Sequence, residues 1–167
     1  MADRLNRACA LSSGPFPHAD IAIQGTLEAW LDVYPALEVE DRLRGSLAES
    51  RSADSENNKA PIGPHRSDLH VVHVEKGQPA NLCSTGEQKA LLIAIVLADA
   101  RLRAAERDAA PLLLLDEVAA HLDGARREAL FEEIFELGAQ VWLTGTDQSV
   151  FSSMQKKAQF LDVRDGQ

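Results

Sequence analysis

"LLLLDEVAAHLD" (residues 112–123) runs four leucines into two adjacent acids and closes on Leu-Asp. Four apolar residues are too few for a helix. Bounded by Pro111 and the acids, they predict a central strand of a parallel sheet, covered on both faces. Asp123 predicts the N-cap of a helix over 124–137, which would bury Leu130, Ile134 and Leu137 and stop at Gly138. "QVWLT" (140–144) reads as the next strand and "QFLDV" (159–163) as another. Strand, helix, strand is a βαβ unit, which implies a parallel sheet and a right-handed crossover.

Ligands of a parallel sheet sit beyond the carboxyl ends of its strands. Asp116 and Glu117 fall there. One carboxylate at that edge can hold Mg²⁺ through its waters, and a second can orient or deprotonate an attacking water. A strand that simply ends in solvated acids has the same pattern. "TGTD" (144–147) puts Thr146 and Asp147 on the same edge, or marks an ordinary turn.

Upstream, "CSTGEQKA" (83–90) opens a helix to about Arg107, with Leu91, Ile95, Ala98 and Leu102 on one stripe and Asp108 to Pro111 as its break. Apolar nearly all round between Ala90 and Ala98, this helix should be buried. Its start reads two ways. Ser84 with Glu87 three residues later is a capping box. Ser84, Gly86 and free helix N–H groups also suit an anion, with Gly86 leaving room for a phosphate.

The first third is weakly patterned. Ala19, Ile21 and Ile23 alternate as a strand, Leu37 to Leu47 reads as a polar helix, and 50–60 as a solvated linker or helix end. "PIGPHRSDL" (61–69) supplies a turn in which His65 and Arg66 could be phosphate contacts or plain surface. A strand Leu69 to Val74 follows, turning at Lys76-Gly77.

With 167 residues, 45% of them hydrophobic, the chain can bury one domain's core. A net charge of -9 argues against coating DNA by bulk charge. Cys9 and Cys83 form neither a pair spacing nor a metal box. Without an apolar leader or a membrane-length run, a cytoplasmic location is expected. None of the ten glycines belongs to a G-x-x-x-x-G-K-[ST] loop, so no phosphate-cradling loop is present.

Taken in order, "GPHRSDL" (63–69), "STGEQKALLIAIVLADARL" (84–102), "LLLLDEVAAHLD" with Arg126-Arg127, and "WLTGTD" (142–147) with Phe151 resemble the C-terminal half of an ABC/SMC-type ATPase head. More narrowly, they resemble the RecF family of bacterial DNA-repair mediators. The resemblance implies an α/β fold: the C-terminal lobe of a P-loop NTPase head (61–167), preceded by the end of a helical arm and its return (1–60). It implies ATP and Mg²⁺ as cofactors. Ser84, Gly86 and Glu87 would form the signature motif, reaching the nucleotide of a second subunit. Asp116 would be the metal carboxylate and Glu117 the catalytic base, with Asp123 in the D-loop and Thr146 at the switch position.

For the family it implies ATP-dependent dimerisation on gapped or single-stranded DNA, RecR as a partner, and help in loading recombinase. Replication, recombinational repair and the SOS response are the settings. Three features depart from the wider ABC class. The Walker A half is absent, Glu87 stands where Gln is usual, and Thr146 stands where transporters carry His. Two alternatives remain open: a non-catalytic interaction fragment, and part of a transporter's nucleotide-binding domain.

Overall fold

The computed structural model describes residues 2–12, 14–57, 60, 62–107 and 109–163. Asn58, Lys59, Pro61 and the expected helix breaker Asp108 lie outside them. The elements, in chain order, are α1 (Ala2–Ala10), β1 (Ala19–Gln24), α2 (Thr26–Leu31), α3 (Ala36–Asn57), β2 (Asp68–His73), β3 (Gln78–Pro79), α4 (Thr85–Arg107), β4 (Leu113–Leu115), α5 (Gly124–Leu137) and β5 (Val141–Leu143), with short 3₁₀ turns between several of them.

Two sheets result. β1, β2 and β3 form an antiparallel sheet in that order, with Ala19 opposite His73 and Gln24 opposite Asp68. β4 and β5 pair in parallel, Leu113 to Val141 and Leu115 to Leu143, joined by α5 as the strand–helix–strand pattern requires. Asn6 of α1 closes one edge of β1: its side chain accepts from Ile21 N at 2.8 Å and donates to Ile21 O at 2.9 Å.

α4 lies between two cores. Ala90, Ile93, Ala94 and Leu97 pack with Leu115, Leu122, Leu130, Phe131, Ile134 and Met154. Leu91 and Ala98 face the other way, onto Cys9, Ala19 and Ile21. The helix is therefore apolar nearly all round because both sides are covered, although Leu92 stays exposed. Each leucine so buried is worth about 1.5–3 kcal/mol. Arg101 pairs with Glu133 to tie α4 to α5, and Arg4 pairs with Glu106 to tie α1 to α4.

Asp123 and Gly138 bound α5 as expected: Asp123 Oδ1 accepts from Arg126 N, and Gly138 takes φ 64°. Leu130 and Ile134 are buried and Leu137 only half-buried.

Three expectations need correction. The leucine strand is covered on one face only: Leu113 and Leu115 are buried, but Leu114 is 71% exposed and Trp142 beside it 51%. A two-stranded sheet has one helical layer, so alternate side chains have nothing to pack on. Residues 159–163 form no strand, and Phe160, Leu161 and Val163 are exposed. The polar helix expected over 37–47 extends to Asn57, so residues 50–57 follow the helix-end alternative rather than the linker one. Ion pairs at i,i+4 (Glu38–Arg42, 2.9 Å; Glu40–Arg44, 2.6 Å) and Arg42 stacked 3.7 Å over the Tyr34 ring support that helix, whose main packing partner is α2.

Candidate active site

The parallel register that sets Leu115 beside Leu143 brings residues 116 and 144 together at the carboxyl edge. Thr144 N donates to Leu115 O at 3.1 Å, which continues the pairing by one residue. The Thr144 hydroxyl donates to Asp116 Oδ1 and accepts from Glu117 N at 3.0 Å. One hydroxyl thus fixes both acidic positions. Glu117 also has φ 50°, in the left-handed region that side chains seldom adopt. Such a conformation costs about 1–2 kcal/mol and is held here by its neighbours, as is common at functional sites. Both carboxylates are exposed at the strand end.

Thr144 was not singled out by sequence pattern. The signal was available: it is the first polar residue after β5, in parallel register with Asp116. Thr146 and Asp147 follow on the same edge. Asp147 Oδ1 accepts from Ser149 N at 2.8 Å, and the Ser149 hydroxyl and N–H together hold its carboxyl below the usual range. Asp147 is thus a turn cap. Thr146 is exposed in that turn. A Cβ added at Gly145 would lie 2.7 Å from the Phe151 ring, so any larger residue there would displace that ring.

At the start of α4 the capping box is formed. Glu87 Oε2 accepts from Ser84 N and from the Ser84 hydroxyl, both at 2.9 Å, and Glu87 N donates weakly to Ser84 Oγ at 3.4 Å. Lys76, from the turn after β2, pairs with the other Glu87 oxygen. Lys76 first, then the Ser84 N–H and hydroxyl, hold the Glu87 carboxyl at about 2. Glu87 is therefore ionised throughout the physiological range. Beside it Gly86 is exposed, and the space its Cβ would occupy is empty. Asp123, exposed at the head of α5, spends one oxygen on Arg126 N and sits 3.4 Å from the Arg126 guanidinium.

In the "GPHR" turn, His65 folds back over Gly63 and donates from Nε2 to Ala60 O at 3.0 Å. Gly63 has φ 148°, and a Cβ there would meet the His65 ring at 2.8 Å. His65 is thus spent on the turn, while Arg66 is exposed.

Asp116, exposed at the sheet edge with one oxygen bonded to Thr144, is the carboxylate that would hold Mg²⁺ there. Among the described residues no group of three or more His, Cys, Asp or Glu side chains is gathered as a metal cage. A single protein carboxylate completed by waters and phosphate oxygens is the ordinary way Mg²⁺ is bound, so the residues fit that ion.

The chain as a whole is similar to known proteins. A DNA replication and repair protein RecF of Mesorhizobium japonicum is 54% identical over 154 residues, 92% of this chain and 41% of the relative. That of Brucella abortus (strain 2308) is 50% identical over 156 residues, covering 93% and 41%. The chain matches a C-terminal part of RecF. It spans about two-fifths of the length of the curated RecF relatives it matches. No protein-family model matches it. A solved structure described as the recombination mediator protein RecF-ATPrS in the RecFOR pathway superposes with a TM-score of 0.61 at 21% identity, over 89% of this chain and 38% of that one. The fold is accordingly α/β and shared with that RecF structure. Among the described residues no helix is long and apolar enough to cross a membrane.

Proposed function

We propose that this chain is the C-terminal lobe of the ATPase head of a RecF-type DNA replication and repair protein, working in the cytoplasm. Residues 61–167 would be the lobe and 1–60 the arm's end and its return, with α1 and β1 docked on the lobe. The nucleotide is ATP, gripped through its phosphates by a Walker A half that this sequence does not contain. The bound Mg²⁺ would neutralise phosphate charge, with Asp116 as its protein ligand.

In this reading Glu117 polarises the attacking water and Thr144 fixes the backbone from which it projects. Thr146 lies near the terminal phosphate, and Asp123 lines the subunit boundary. Ser84 and Gly86 present a hydroxyl and open helix N–H groups to the nucleotide of a second copy. ATP would thereby close a homodimer on gapped or single-stranded DNA, with RecR as partner and recombinase loading as the outcome.

The observation that carries this reading is the Thr144 hydroxyl held between Asp116 and the Glu117 N–H. It organises two acids at the edge where a parallel sheet binds ligands, beyond what solvated strand-end acids need. Calorimetry with Mg-ATP tests it. The chain alone should show no micromolar binding, and the chain joined to the N-terminal part of a RecF relative should bind. Tight Mg-dependent binding by the chain alone, or none by the joined protein, would overturn the reading.

A further inference from the structure

The turn after β2 reaches the head of α4. It is fixed at every residue: Gly77 N donates to His73 O at 2.9 Å and to Val74 O at 3.2 Å, and Gly77 itself takes φ 61°. Val74 N donates to His18 O at 3.0 Å. Glu75 accepts from His18 N at 3.0 Å and from His18 Nδ1 at 2.6 Å, which fastens the turn to the segment leading into β1. Lys76 projects from this fastened turn onto Glu87.

Glu87 presents a problem for any phosphate at Ser84. It is an acid in the first turn of α4, bonded to the very hydroxyl and N–H that an anion would use. We propose that Lys76 is a positioning residue for the Ser84 segment: paired with the Glu87 oxygen that Ser84 does not use, it cancels the acid's charge beside the hydroxyl and N–H that an incoming phosphate would approach. The groups facing the pair are Ser84 and Cys83; Cys83 is buried just ahead of Ser84 and bears electrostatically on Lys76. Lys76 holds the ammonium form more firmly than a free lysine, chiefly through its bond to Glu87. An adjacent anion would otherwise be repelled by Glu87 across a few ångströms, where charge interactions are least screened.

The inference rests on Ser84 acting toward a second subunit's nucleotide, and the test separates the two. A RecF protein whose C-terminal part is this chain is sedimented with and without Mg-ATP, as wild type and as Lys76→Met, Lys76→Arg, Lys76→Met with Glu87→Gln, and Ser84→Arg. Lys76→Met should weaken ATP-driven dimerisation about tenfold, within the range of coupled neighbouring sites. Lys76→Arg should retain it, and the double variant should restore it, because the uncancelled charge is gone. A double variant as weak as Lys76→Met, or a Lys76→Met protein that dimerises normally, would overturn the role of Lys76. Normal dimerisation of Ser84→Arg would instead overturn the underlying reading.

Discussion

The Thr144 hydroxyl donates to Asp116 Oδ1 and accepts from the backbone N–H of the next residue, Glu117, at 3.0 Å. Thr144→Val keeps the shape and removes both bonds. Losing a hydrogen bond to a charged group costs about 1.5–3 kcal/mol, less where water can replace it, as at this exposed edge. Urea unfolding of the chain should therefore show a loss of about 1 kcal/mol, and Thr144→Ser should show almost none. An unchanged midpoint for Thr144→Val would mean that the bridge does not hold the strand ends.

Glu117 sits at φ 50°, where a glycine is at ease and a branched side chain is not. Glu117→Gly should leave stability equal or raise it by up to about 1 kcal/mol, and Glu117→Val should lower it. If both variants destabilise alike, the strained backbone is not a feature of the folded chain.

Stability should depend on pH through His18 and Glu75. Both His18 ring nitrogens face acceptors, Glu75 Oε1 and Ser12 O, so both must carry protons; the bond to Glu75 chiefly raises its pKa. A raised histidine contributes stability that is full below its unfolded pKa and is lost as pH rises through the folded value. Burial tends to raise the Glu75 pKa, but hydrogen bonds from the His18 N–H, its own N–H and the His18 ring leave it lowered. That contribution is present above the ordinary carboxylate pKa and is lost as acid is added. Stability should thus peak between the carboxylate and imidazole ranges. His18→Gln should flatten the loss on the basic side, as thermal melts across pH would reveal; an unaltered profile would contradict the pairing.

DNA contact by this chain should be weak and its salt slope shallow. Three arginines of its basic clusters are already engaged within the chain: Arg101 with Glu133, Arg103 with Asp99, and Arg126 with Asp123 and the Pro15 carbonyl. The other cations are spread over a chain of net charge -9, so only a small group can meet one phosphate track and release its counterions. Nanomolar binding at physiological salt, measured by fluorescence anisotropy, would contradict this.

The parts of the fold legible in the sequence were those fixed by local chemistry. Asp123 and Gly138 bounded α5 through cap geometry, and the capping-box reading of Ser84 and Glu87 was met bond for bond. What escaped depends on neighbours distant in sequence. The exposure of Leu114 and Trp142 follows from how many layers cover the sheet, which four leucines cannot report. Residues 159–163 read as a strand but have no partner strand among the described residues. Thr144 and Lys76 matter through contacts across 28 and 11 positions, to Asp116 and Glu87, which only strand register and the β2 turn reveal.

The central claim is that the Asp116–Glu117 edge of one subunit and the Ser84 segment of another act on one ATP. Removing a general base slows its step by about 10²–10⁴-fold while sparing binding. Sedimentation velocity of the RecF protein carrying this chain, with Glu117→Gln and Mg-ATP, tests that claim most directly. A stable ATP-dependent dimer is predicted, and adding Ser84→Arg should return it to a monomer that still binds ATP. A Glu117→Gln, Ser84→Arg protein that dimerises as well as Glu117→Gln alone would contradict the account and leave Ser84 as a helix cap.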